Sequence, residues 1–161
     1  MNDALIYSEA RNKAISHIGI SVSSSGRIRD YLLKLGYDGN TVEDVICQLT
    51  ADGYVDDRRV AGKIIRQRTG NKSEGRLKLL ARLEDAGIPA DIAYSVLDEE
   101  AINDEETIME VIRDRFPSSS FSDDPSEVKL ELAKAIRYLE SRGYSSSLAL
   151  ASFRKLIHDV E

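Results

Sequence analysis

At three corresponding points along the chain a leucine stands four residues ahead of a glycine, with a large apolar residue directly after it. The sets are Leu32, Gly36 and Tyr37; Leu83, Gly87 and Ile88; and Leu139, Gly143 and Tyr144. Glycine enters a left-handed backbone at little steric cost, and the residue just past a helix C-terminus commonly needs that conformation. The pattern therefore marks three helix ends and requires apolar residues at helical spacing before each of them.

Those residues are present. Ala4, Leu5, Ala10, Ala14, Ile15 and Ile18 predict a helix over 3–17, stopped by Gly19. Ile28, Tyr31, Leu32 and Leu35 predict a second, and Val42, Val45, Ile46 and Leu49 a third that closes near Gly53. The same order returns as a helix from Asp57, one from Ser73 to Gly87, and one opened by Pro89. It returns again over 105–116, 126–142 and 148–157. Few prolines, no tryptophan and little alternation argue against a sheet. The expected fold is all-α: three tandem three-helix repeats over 1-55, 56-102 and 103-161, forming an elongated, curved helical body. A unit of about fifty residues buries too little on its own, so neighbours stack. A Pro/Ser loop at 117-125 interrupts the third repeat, and Cys47 reads as a small core residue.

Charge is distributed unevenly. The chain carries a net charge of −6, yet from Arg58 to Arg82 nine Lys and Arg face the single acid Glu74. From Glu84 to Glu131 the balance reverses, with 15 acids against three cations. In the helix from Asp57, with Asp56 or Asp57 as N-cap, Val60, Ala61, Ile64 and Ile65 form the inward stripe. Arg59, Lys63 and Arg66 fall on the opposite face. Lys78 and Arg82 point outward from the following helix. Adjacent helices joined by a short loop could merge these cations into one patch.

No catalytic pattern accompanies this charge. There is no glycine-rich phosphate loop, no His-Glu-x-x-His and no Cys-x-x-Cys, and His17 and His158 lie at opposite ends of the chain. No cofactor, metal or enzymatic activity is expected. The apolar runs are short and the start, Met1-Asn2-Asp3, is polar, so a cytoplasmic protein without a membrane span is expected.

Gly53-Tyr54-Val55-Asp56-Asp57-x-x-Val60-Ala61, followed by Arg66-x-Arg68, resembles the central signature of the RecX family of bacterial regulators of the RecA recombinase. The resemblance continues through Leu79-x-x-x-Leu83-x-x-x-Gly87-Ile88, Arg113-x-Arg115-Phe116 and Tyr138-Leu139-x-x-Arg142-Gly143-Tyr144. Val60 stands where the family usually has an aromatic residue, and Ser141 where an arginine is frequent. The resemblance implies a non-enzymatic monomer that binds RecA, or RecA filaments on single-stranded DNA, and impedes recombinase, ATPase and co-protease activity. Its implied contacts are Arg59, Lys63, Arg66, Arg68, Lys78 and Arg82, then Arg113, Arg115, Arg137 and Arg142. Gly53, Tyr54, Asp56, Asp57, Ala61, Gly87 and Gly143 would be structural. Two other readings fit the residues. One is a helical DNA-binding module, disfavoured by the acidic outer thirds; the other is a helical-repeat scaffold for an unrelated protein.

Overall fold

The structure, a computed structural model, describes residues 2–117 and 121–158, without the side chains of 157 and 158. Ser118, Ser119 and Ser120 of the expected Pro/Ser loop lie outside the described residues, as do Met1 and the last three residues of the third expected repeat. The described residues are all-helical: α1 (Asp3–Ile18), α2 (Ser25–Lys34), α3 (Gly39–Ala51), α4 (Asp57–Arg66), α5 (Arg76–Asp85), α6 (Ala90–Glu99), α7 (Asp104–Arg115), α8 (Pro125–Ser141) and α9 (Ser146–His158). A 3-10 turn covers Gly70–Lys72, and the extended pairing among these residues is one parallel bridge between Ser23 and Val55. No helix among them is long and apolar enough to cross a membrane.

The recurrent glycines act at the level of backbone hydrogen bonds. Gly36, Gly87 and Gly143 have φ of +90°, +79° and +89°. Past each, the N–H of Tyr37, Ile88 or Tyr144 reaches back to the carbonyl of Leu32, Leu83 or Leu139, at 3.3, 3.0 and 3.1 Å. The glycine N–H bonds the carbonyl three residues back, completing a Schellman closure that pairs two orphan carbonyls of the helix end. Two further helices end the same way. Tyr54 N–H bonds Leu49 O past Gly53 (φ +83°), and Ile102 N–H bonds Leu97 O past Ala101 (φ +51°). In all five closures the accepting residue is a leucine at most 1% exposed. One leucine thus supplies both the last core contact of a helix and the acceptor that turns the chain.

The chain divides into two compact units. The first, Met1–Ile64 with Arg82–Val96, has a core of Ala10, Ala14 and Ile18 from α1, Ile28 and Leu32 from α2, Val42, Val45, Ile46 and Leu49 from α3, and Val55. The second, Ile65–Ala81 with Leu97–Glu161, has a core of Ile108, Val111 and Ile112 from α7, Ala135 and Leu139 from α8, Tyr144, and Ala149 and Phe153 from α9.

Each unit contains a junction built on close backbone approach. In the first, Gly26 N–H donates to Gly87 O at 3.0 Å, and a methyl group on Gly26 would sit 2.5 Å from that oxygen. Ser24 Oγ donates to Ala86 O at 2.5 Å, and Asp57 accepts from Ser25 N and Oγ, both at 2.7 Å. In the second, Gly75 N–H donates to Arg142 O at 2.8 Å beside Gly143, and Asp104 accepts from Arg76 N at 2.8 Å. An aspartate at the first position of α4 or α7 therefore satisfies the first N–H of α2 or α5, and the helix dipole favours its charge there.

Two local expectations need correction. Cys47 is exposed, because Val42, Val45, Ile46 and Leu49 take the inward arc of α3 and leave position 47 outside it. Ser73 does not cap α5; it ends the 3-10 turn, and the helix begins at Arg76. α3 starts at Gly39 because Asp38 accepts from Thr41 N (3.0 Å) and Thr41 Oγ1 (2.6 Å), bonds that also hold its carboxyl below the usual range.

Gly36 and Gly87 separate conformational cost from steric cost. A methyl on Gly36 meets nothing within 4 Å, whereas one on Gly87 lies 2.7 Å from Arg27 N. Gly36→Ala is expected to cost about 1 kcal/mol for the left-handed backbone, and Gly87→Ala at least about 2 kcal/mol more. Urea midpoints at unchanged slope measure both, and equal costs would contradict the close approach. Ala101→Gly, which removes a left-handed side chain, is expected to leave stability unchanged or raise it by up to about 1 kcal/mol.

Candidate functional site

The segment Gly53–Asp57 fixes where α4 begins. Gly53 turns the chain out of α3, and Tyr54 O accepts from Ser23 N at 3.1 Å while Asp56 N donates to Ser23 O at 3.0 Å. Val55, between them, is buried. Asp56 Oδ1 then accepts from Arg59 N at 3.0 Å as the helix cap, leaving Asp57 free to bind Ser25. The two adjacent acids thus have separate structural tasks.

From this anchored start α4 buries Ala61 and Ile65 and half-buries Val60 and Ile64, so Arg59, Lys63 and Arg66 lie exposed. Arg59 and Lys63, with Ile20, Ser21, Val22 and Val60, line a cleft of about 340 Å³. No ion pair engages Arg59 or Lys63 among the described residues. Ile20, just past α1, is fully exposed. It escaped the sequence reading because it belongs to no periodic segment, and nothing beside it along the chain marks it.

The remaining cations occupy different settings. Arg66, Arg68 and Arg113 line a second cavity of about 580 Å³ within the second unit, together with Glu100, Glu110 and Asp114. Arg66 Nη1 bonds Glu100 at 2.6 Å there. Three acids among three arginines leave this cavity without net charge. Arg115 lies over the Tyr138 ring at 4.9 Å. Arg142 is structural: its guanidinium donates to Ser73 O at 3.2 and 2.9 Å and to Asn71 O at 3.3 Å. Lys78, half-buried, has its backbone and Cβ against Gly143, Arg82 is half-buried, and Arg137 is exposed. Arg76, outside the sequence-based candidates, donates to Leu97 O and Ile102 O and pairs with Asp98 at 2.7 Å.

Buried polar groups in the second unit serve its packing. Tyr144 donates its phenol proton to Thr107 Oγ1 at 3.0 Å, and burial pushes its pKa up to about 12. Burial also raises the Asp104 carboxyl above its ordinary value, against the lowering effect of the Arg76 N–H bond and charge. No group of three or more His, Cys, Asp or Glu that could hold a metal occurs among the described residues.

Arg142→Ala removes a cation whose bonds go to the carbonyls of buried Ser73 and of Asn71 and is expected to cost about 1–3 kcal/mol. Arg137→Ala is expected to stay within about 0.5 kcal/mol. Urea unfolding of the two variants checks the contrast, and equal effects would contradict the structural role of Arg142.

Comparison with known proteins adds a family to this geometry. No protein-family model matches the chain. It is 37% identical over 91 residues to the regulatory protein RecX of Prosthecochloris aestuarii, covering 56% of this chain and 60% of that one. It is 32% identical over 121 residues to the regulatory protein RecX of Mycobacterium sp. strain JLS, covering 74% and 66%. The chain thus spans about three fifths to two thirds of the length of these relatives. The crystal structure of RecX from Lactobacillus salivarius matches with a TM-score of 0.69 at 19% identity over 95% of this chain and 97% of that one, a likeness of fold. With the sequence matches and the fold in agreement, the chain belongs to the RecX family.

Proposed function

We propose that the chain is a non-enzymatic regulator that binds RecA, or RecA filaments on single-stranded DNA, and impedes the recombinase, ATPase and co-protease activities of RecA. It acts as a monomer in the cytoplasm, and its three-helix units, 1-55, 56-102 and 103-161, meet successive protomers of the filament. DNA is reached through RecA. The observation that carries this reading is the family membership, joined to a helix whose outward cations Arg59 and Lys63 have no ion-pair partner among the described residues.

The charge pattern supports a protein partner over naked DNA. Nonspecific DNA affinity grows with the number of phosphates neutralised. Several of the cations that would do so are engaged internally: Arg66 with Glu100, Arg76 with Asp98 and Arg142 with backbone carbonyls. The chain as a whole is acidic. Two cations on one helix, unpaired among the described residues, suit a local acidic patch on a protein.

The test is RecA-dependent ATP hydrolysis on single-stranded DNA, with RecA from the same organism and this chain titrated in. Wild-type protein is expected to inhibit below stoichiometric ratios. The Arg59→Glu, Lys63→Glu, Arg66→Glu triple variant should need at least about tenfold more protein, at unchanged helicity by circular dichroism. Absence of wild-type inhibition at any ratio would overturn the reading.

A further inference from the structure

We infer that the cleft of Ile20, Val22 and Val60 with Arg59 and Lys63 receives a segment of a partner protein in which carboxylate side chains stand beside large apolar ones. The inference rests on the reading of α4 as a partner-binding helix and specifies the chemistry that helix recognises.

Three features of the cleft converge on this occupant. Its two cations are exposed and unpaired among the described residues, and none of its six lining residues is acidic, so charge complementarity asks for an anion. Three of its lining residues, Ile20, Val22 and Val60, are apolar. Val22 and Val60 are half-buried, and Ile20 presents its whole side chain to solvent at the edge. Its walls are held in place before any partner arrives. Gly19 N–H closes α1 on Ile15 O at 3.1 Å, Ser23 pairs with Tyr54 and Asp56, and Asp56 caps α4. A preformed site binds without first losing chain entropy.

The apolar component decides between classes of anion. A nucleic-acid backbone would satisfy Arg59 and Lys63 but leave Ile20 beside a hydrated phosphate. Sites for single-stranded nucleic acid also use aromatic platforms, and none of the lining residues is aromatic. A peptide with alternating acidic and apolar residues covers both components, with carboxylates on the cations and a leucine- or phenylalanine-sized group against Ile20 and Val22. Interface cores combine apolar anchors with a charged rim in this way.

The experiment uses the full chain and three fluorescent peptides of equal length, read by anisotropy. One alternates Asp with Leu, one alternates Asp with Ser, and one alternates Lys with Leu. The Asp/Leu peptide is expected to bind at least about tenfold more tightly than either control. Ile20→Ser and Lys63→Glu should each weaken it by about tenfold while circular dichroism is unchanged. Equal binding of the Asp/Ser peptide, indifference to Ile20→Ser, no binding of the Asp/Leu peptide, or its displacement by single-stranded DNA would each overturn the proposal. Loss of peptide binding with RecA inhibition intact removes this inference alone. Peptide binding without RecA inhibition removes the RecA reading alone.

Discussion

A buried leucine that accepts a hydrogen bond from five residues downstream closes α2, α3, α5, α6 and α8, and the remaining architecture depends on those closures. The leucine cannot leave the core without losing the acceptor that reverses the chain. The residue between must take a left-handed backbone, which glycine supplies at four of the five ends and Ala101 at the fifth. Helix length, helix direction and the point at which the next segment enters are thereby set together. In the two junctions, glycine does a second task by allowing backbone contact, Gly26 with Gly87 and Gly75 with Gly143. A sequence with leucine and glycine at this spacing is consequently committed to short helices.

This coupling explains why the helices could be read from the sequence. Every leucine in the pattern carries a conformational message and a burial message that agree, so periodicity alone located each element to within a few residues. Where several roles compete for one residue type, the sequence was less informative. Asp56 and Asp57 are equally good caps by composition; only the neighbouring Ser25, 32 residues away, assigns the second one. Ser73 stands where a cap is expected, but it ends the 3-10 turn, and the chain runs on to Arg76 before α5 starts. Cys47 is an apolar-class residue on the wrong arc of α3.

The cations show the same limit more strongly. Nine basic residues in one stretch look alike as charges, yet their surroundings differ in kind. Arg76 binds the carbonyls of Leu97 and Ile102 around the end of α6, Arg66 meets Glu100, and the side chains of Arg59 and Lys63 form no ion pair among the described residues. An acid distant in sequence decides whether a cation is available, and distance in sequence is what a linear reading lacks. Ile20 reinforces the point, since its significance comes from sharing a cleft with α4 and from nothing in its own neighbourhood along the chain.

The central claim is that α4 and the loop before α2 face the RecA filament, and photocrosslinking tests it most directly. Cys47, being exposed, is first replaced by serine, and a single cysteine carrying a benzophenone label is then placed at Ser21, which lines the cleft, or at Ser147, an exposed residue of α9. The account predicts crosslinks to RecA from position 21 that exceed those from position 147 and that require the assembled filament. Crosslinks from position 147 with none from position 21 would contradict it.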